Sequence, residues 1–108
     1  MINVIFKKKS NKILSYKLEG HANFVDEGYD MVCSAVSGIS LTIANGITEV
    51  LKIPCQLNVK DGFLNIDLSS CSSKDIDKAQ VLMETILLGL KSVEANYGKY
   101  IKVKIEEV

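Results

Sequence analysis

Two apolar stripes with helical spacing dominate this chain of 108 residues. Val32, Ala35, Val36, Ile39, Ile43, Ile47, Val50 and Leu51 recur every three or four positions, as do Ile76, Ala79, Met83, Ile86, Leu87, Leu90 and Val93. Each set falls on one side of a long helix, and that side has to be covered by something else. The remaining segments supply the cover, because their apolar residues repeat every second position. Ile2, Val4 and Phe6 alternate, then Leu14, Tyr16 and Leu18, with a polar turn at Lys9, Ser10 and Asn11 between them. Residues 55–59 and 63–68 flank Asp61-Gly62, a strong short-range hairpin signal. Ile101, Val103 and Ile105 form a last strand.

The boundaries follow from local chemistry. Asp30 is the candidate N-cap of the first helix, which must stop before Pro54 because proline disfavours helical geometry in the residue before it. Ser72 with Asp75 three places later reads as a capping box for the second helix, with Asp in place of Glu, and Gly98 ends that helix. The order is therefore ββαββαβ. An α+β fold in two layers is expected, with about five strands in one sheet and both long helices on one face. The length suits a single domain over residues 1–108.

Apolar residues make up 47% and charged residues 24%, with one proline, which excludes a disordered chain. Thirteen basic side chains balance thirteen acidic ones. Such a balance disfavours a protein built to neutralise phosphates, so no direct nucleic-acid partner is required, and Lys7, Lys8 and Lys9 read as a solvated hairpin end. The N-terminus places its lysines after its apolar run, the reverse of a secretory signal, and no stretch is expected to cross a bilayer. Cys33, Cys55 and Cys71 make an odd count without CxxC spacing. That pattern fits reduced thiols in a cytoplasm, with no disulfide framework, no metal and no cofactor.

Chemistry concentrates between Gly20 and Ser37. His21 is the single histidine. With Asp30 as N-cap, Cys33 would be the third residue of its helix, where unpaired N–H groups and the positive end of the helix dipole favour a thiolate. Histidine titrates near neutral pH and can move the proton that a cysteine nucleophile requires. The amides of Cys33 and Ser34 are candidate oxyanion donors. Asp30 can cap the helix or orient His21, and one side chain can do both. Residues 22–29 form a candidate substrate loop, with Phe24, Gly28 and Tyr29 as its contacts, although either aromatic can equally pack on the scaffold. A lone cysteine is commonly a buried small hydrophobe, and Cys55 and Cys71 are read that way.

Gly20-His21-Ala22 followed by Gly28-Tyr29-Asp30-Met31-Val32-Cys33-Ser34-Ala35-Val36-Ser37 resembles the ribosomal-processing cysteine protease family, called Prp. The resemblance covers essentially the whole chain. It implies Cys33 as nucleophile, His21 as general base and Asp30 as the acidic residue beside them. Ser34 stands where alanine is common, and Ser37 matches a serine to which no role is assigned. It further implies a homodimer that removes a short N-terminal extension from large-subunit ribosomal protein twenty-seven by cutting after an aromatic residue. Two other readings of the residues stand beside this one: a non-catalytic dimeric module that binds a ribosomal protein or RNA, and a thiol redox sensor.

Overall fold

The computed structural model describes residues 1–20 and 27–108. Strands β1 (Ile2–Lys9) and β2 (Lys12–Glu19) form the first hairpin, and helix α1 (Glu27–Asn45) follows. A turn of π-helix, Gly46–Val50, extends α1. The second hairpin is β3 (Gln56–Lys60) and β4 (Phe63–Asp67), then come α2 (Ser73–Tyr97) and β5 (Ile101–Glu107). The order is ββαββαβ and the class α+β, as expected from the periodicities. The sheet runs β3-β4-β2-β1-β5, antiparallel throughout except for the parallel pair β1–β5.

Turn chemistry sets the first hairpin. Ser10 and Asn11 both take positive φ, 50° and 69°. Two such residues give a primed turn, whose twist matches that of the strands it joins. Opposite the far end of β1 the register shifts: Lys7 faces Ser15, yet Lys8 faces Ile13. Leu14 is thus an extra residue, a bulge that corrects the simple alternation read from sequence. Ile13 is fully buried in its place, and Leu14 is half-exposed. The bulge leaves backbone groups to be satisfied elsewhere. Gln80 on α2 does so, its Oε1 accepting from the Ile13 N–H at 2.8 Å and its Nε2 donating to the Ile13 carbonyl at 2.9 Å.

Ile2, Val4 and Phe6 of β1, Ile13, Tyr16 and Leu18 of β2, and Leu64 and Ile66 of β4 line one face of the sheet. They meet Val32, Val36, Ala44 and Ile47 from the first helix and Ala79, Met83, Ile86, Leu87 and Leu90 from the second. The α2 stripe matches its sequence reading, and Ser72 caps that helix by accepting from the Asp75 N–H at 3.2 Å. The α1 stripe differs. Ala35 faces solvent and Val50 is 77% exposed, while Ser40 and Ala44 turn inward. The wide turn contributes to the change at Val50: the Leu51 N–H donates to the Gly46 carbonyl five residues back, which shifts the phase of the last apolar positions. Lys52 then takes a left-handed φ of 55° and sends Ile53 into the core ahead of Pro54.

Two expectations about the first helix are corrected. It starts at Glu27, three residues before Asp30, so Asp30 lies in its first turn and does not cap it. Residues 28–50 also form 23 residues of helix long and apolar enough to cross a membrane by length and composition. One side of that helix packs onto the sheet, and 28% of its most apolar window is buried, with Met31, Leu41 and Val50 exposed.

Candidate active site

The face of α1 that carries Cys33 looks toward the tip of the second hairpin. Cys33 and Ser37 are four residues apart, and Asp30 is three residues before Cys33, so all three lie along one side of the helix. They share a shallow cleft with Ser34, Gly20, Asp61 and Gly62. Gly20, at the end of β2, approaches closely: a Cβ built on it would lie 3.8 Å from Cys33 Sγ. The chain passes from Gly20 directly to His21. His21 and Phe24 lie outside the described residues, as do residues 22–26 of the candidate substrate loop.

Beside the cleft is a more enclosed cavity of about 190 Å³. Cys33, Val36, Ser37, Ser40 and Leu41 supply one wall from α1, and residues 59–64 of the hairpin supply the other, with Ile2, Leu18 and Gly20 completing it. Cys33 therefore stands where an open polar cleft meets an apolar pocket, half-buried and with a free thiol. Ser40 is fully buried at this pocket, and its hydroxyl has no hydrogen-bond partner among the described residues. Its backbone carbonyl accepts from the Tyr16 hydroxyl at 2.9 Å, a bond that ties α1 to β2 beneath the site.

The earlier helix start revises the electrostatics. Cys33 is the seventh residue of α1, in its second turn, where the stabilisation of an anion by a helix N-terminus has largely decayed. The amides of Cys33 and Ser34 are interior to the helix and close its i→i−4 ladder. They are therefore not the oxyanion donors expected from the sequence. Tyr29, a candidate contact from the sequence, is 2% exposed and packs edge-on against Tyr100, with ring centroids 6.2 Å apart, the scaffold role that its residue type also allowed. Gly28 is half-buried at the start of the helix.

The hairpin wall could not be read from local sequence. Asp61-Gly62 marks a turn, but only the pairing of β4 with β2 carries that turn to Gly20 and Cys33. Gly62 takes a φ of +70°, and its carbonyl accepts from the Gly20 N–H at 2.9 Å. Among the described residues no cluster of three or more His, Cys, Asp or Glu side chains could hold a metal ion.

A two-layer α+β domain with a free cysteine at the junction of cleft and pocket, beside the strand end that leads to the one histidine, has the parts of a thiol peptidase. The comparisons define that class further. The family described as "Cysteine protease Prp" matches residues 1–102, and the chain belongs to it. The ribosomal processing cysteine protease Prp of Bacillus subtilis is 27% identical over 107 residues, 95% of this chain and 96% of that protein. The Staphylococcus aureus protein of the same name is 25% identical over 92 residues, 85% of this chain and 86% of its own. A crystal structure from Streptococcus mutans superposes with a TM-score of 0.85 and 32% identity, covering 100% of this chain and 96% of that one. The S. aureus Prp structure in complex with a substrate peptide has a TM-score of 0.86 at 24% identity, covering 98% and 100%. This chain is thus a cysteine protease of the Prp family.

Proposed function

We propose that this protease trims the N-terminal extension of large-subunit ribosomal protein twenty-seven, with Cys33 as nucleophile and His21 as general acid and base. The observation that carries the proposal is the position of Cys33, on the edge of a pocket and at the end of an open cleft. An extended peptide lying in the cleft can place its scissile carbonyl near the sulfur while one apolar side chain fills the cavity. An aromatic side chain before the cut suits that enclosed apolar shape. The S. aureus Prp has been crystallised both with a substrate peptide and with a covalently linked product peptide, which supports a covalent intermediate here.

In the proposed reaction the Cys33 sulfur attacks the carbonyl, and His21 delivers the proton to the departing amine. Water then cleaves the thioester, with His21 accepting its proton. Because Cys33 sits in the second turn of α1, generating the thiolate falls mainly to His21 and little to the helix N-terminus. Asp30 shares the cleft and has the charge needed to orient the imidazole and stabilise its protonated form. The experiment is incubation with the extended precursor, followed by mass. Wild-type protein should release the extension, and Cys33→Ala and His21→Ala should not; trimming by Cys33→Ala at the wild-type rate would refute the mechanism.

A cytoplasmic homodimer completes the proposal. The helical layer exposes Leu41, Val50, Val81 and Leu88, and Val50 and Val81 flank an apolar groove between α1 and α2 that also includes Ile43, Leu51 and Leu82. A second copy is the occupant that the family resemblance implies. Sedimentation at micromolar concentration should give twice the 11.9 kDa chain mass. A monomer would remove this part of the reading and leave the peptidase intact.

A further inference from the structure

We propose that Cys55 and Cys71 form a reversible disulfide when the protein meets a disulfide oxidant such as oxidised glutathione. The two residues lie at the base of the β3–β4 hairpin, Cys55 immediately before β3 and Cys71 in the turn between β4 and α2. The Cys71 thiol donates to the Pro54 carbonyl at 3.3 Å. That carbonyl is bonded directly to the nitrogen of Cys55, so the Cys71 sulfur lies within one peptide unit of the Cys55 backbone. Both thiols are free, half-buried and packed against the edge of the same core. No metal-binding cluster competes for them among the described residues.

Burial pushes the Cys55 thiol up, reinforced by the charges of Cys71 and Asp67. Burial also pushes up Cys71, reinforced by Asp75 and Asp67. Few thiolates are present at neutral pH, so exchange is slow there and accelerates as pH rises. The same property makes both sulfurs poor leaving groups, and the bond once formed resists reduction. In the exchange, one cysteine thiolate attacks oxidised glutathione, forming a mixed disulfide and releasing one glutathione thiolate. The other cysteine then attacks the protein sulfur of that mixed disulfide and expels a second glutathione. Two protein thiols are oxidised and one glutathione disulfide is reduced to two thiols. The new bond would tie together the ends of the hairpin whose tip walls the pocket beside Cys33. It would act at the site without using the catalytic sulfur.

The test is peptide mapping of the full chain after exposure to oxidised glutathione at pH 8.5, without reductant. The expected product joins the fragments containing Cys55 and Cys71, with the loss of two hydrogens, and melts several degrees higher than the reduced protein. Dithiothreitol should reverse the shift, and Cys71→Ser should abolish both link and shift. Separate glutathione adducts on Cys55 and Cys71, a link that involves Cys33, or a linked protein that melts no higher than the reduced one would overturn the proposal.

Discussion

Gly62 packs backbone to backbone against Gly20: a Cβ at position 62 would lie 2.5 Å from the Gly20 carbonyl oxygen. The contact fixes the distance between the hairpin tip and the strand end that leads to His21. Two independent costs therefore meet in Gly62→Ala. The left-handed φ of +70° is unfavourable for alanine by about 1–2 kcal/mol. The new methyl must also displace backbone, which has less freedom to move than a side chain. Urea unfolding should show a stability loss of at least that size, and precursor cleavage should fall. A variant with wild-type midpoint and wild-type cleavage would show that the two turns do not need this contact.

The pocket and the sulfur can be separated by filling one and keeping the other. Val36 is 1% exposed and lines the cavity four residues from Ser40 and three from Cys33. Val36→Phe would place a ring in the space assigned to the substrate's aromatic side chain. Specificity pockets commonly change kcat/KM by about 10–200-fold per lost or blocked methylene-sized contact. Cleavage of the precursor should drop within or beyond that range, while alkylation of Cys33 by a small reagent such as iodoacetamide proceeds as before. Equal losses in both assays would mean that the substitution distorts α1 and says nothing of the pocket.

The elements that carry their own periodicity were legible from sequence. The α2 stripe from Ile76 to Val93, the Ser72 cap and both hairpins appear where local spacing puts them, because local geometry alone decides them. Residues governed by distant partners were not legible. Leu14 and Ile13 exchange roles because of a bulge, and Tyr29 belongs to the core through Tyr100, seventy-one positions away. The site divides the same way. Cys33, Asp30 and Gly20 could be singled out as a segment, whereas residues 59–64 join them only through the strand order. The start of α1 is not legible in the sequence, because Asp30 is a good N-cap type that the structure uses inside the first turn.

Gln80 performs a task that its residue type does not advertise. Its amide bonds both backbone groups of Ile13 at the bulge, and its Nε2 also lies 3.0 Å from the Ile76 carbonyl on its own helix. Gln80→Leu keeps comparable bulk but leaves the Ile13 N–H and carbonyl without this partner. Unsatisfied buried groups cost about 1–3 kcal/mol each. Chemical denaturation should show a loss of about that size for each of the two groups that finds no other partner, and amide exchange at Ile13 should accelerate. An unchanged midpoint would mean that water replaces the glutamine at the bulge.

Tyr16 should contribute to the loss of stability at alkaline pH, beyond the range where the raised thiols of Cys55 and Cys71 already act. The ring is fully buried against Phe6, with centroids 5.7 Å apart, and its hydroxyl donates to the Ser40 carbonyl. Burial pushes its phenol well above the ordinary tyrosine value, with the charge of Cys55 adding to the rise. A proton held more tightly in the folded state than in the unfolded one contributes stability that is complete below the unfolded pKa, near 10. That contribution is lost as pH rises from there toward the folded pKa, because the unfolded chain ionises first. Stability should therefore be flat through Tyr16 up to about pH 10 and fall beyond it. Tyr16→Phe should lose the hydrogen bond, roughly 0.5–1.5 kcal/mol at pH 7, and should show a shallower alkaline decline than the wild type. Denaturant midpoints at pH 8, 9.5 and 10.5 for both proteins measure the difference. Parallel declines would assign the alkaline transition to other groups and exclude Tyr16 as its source.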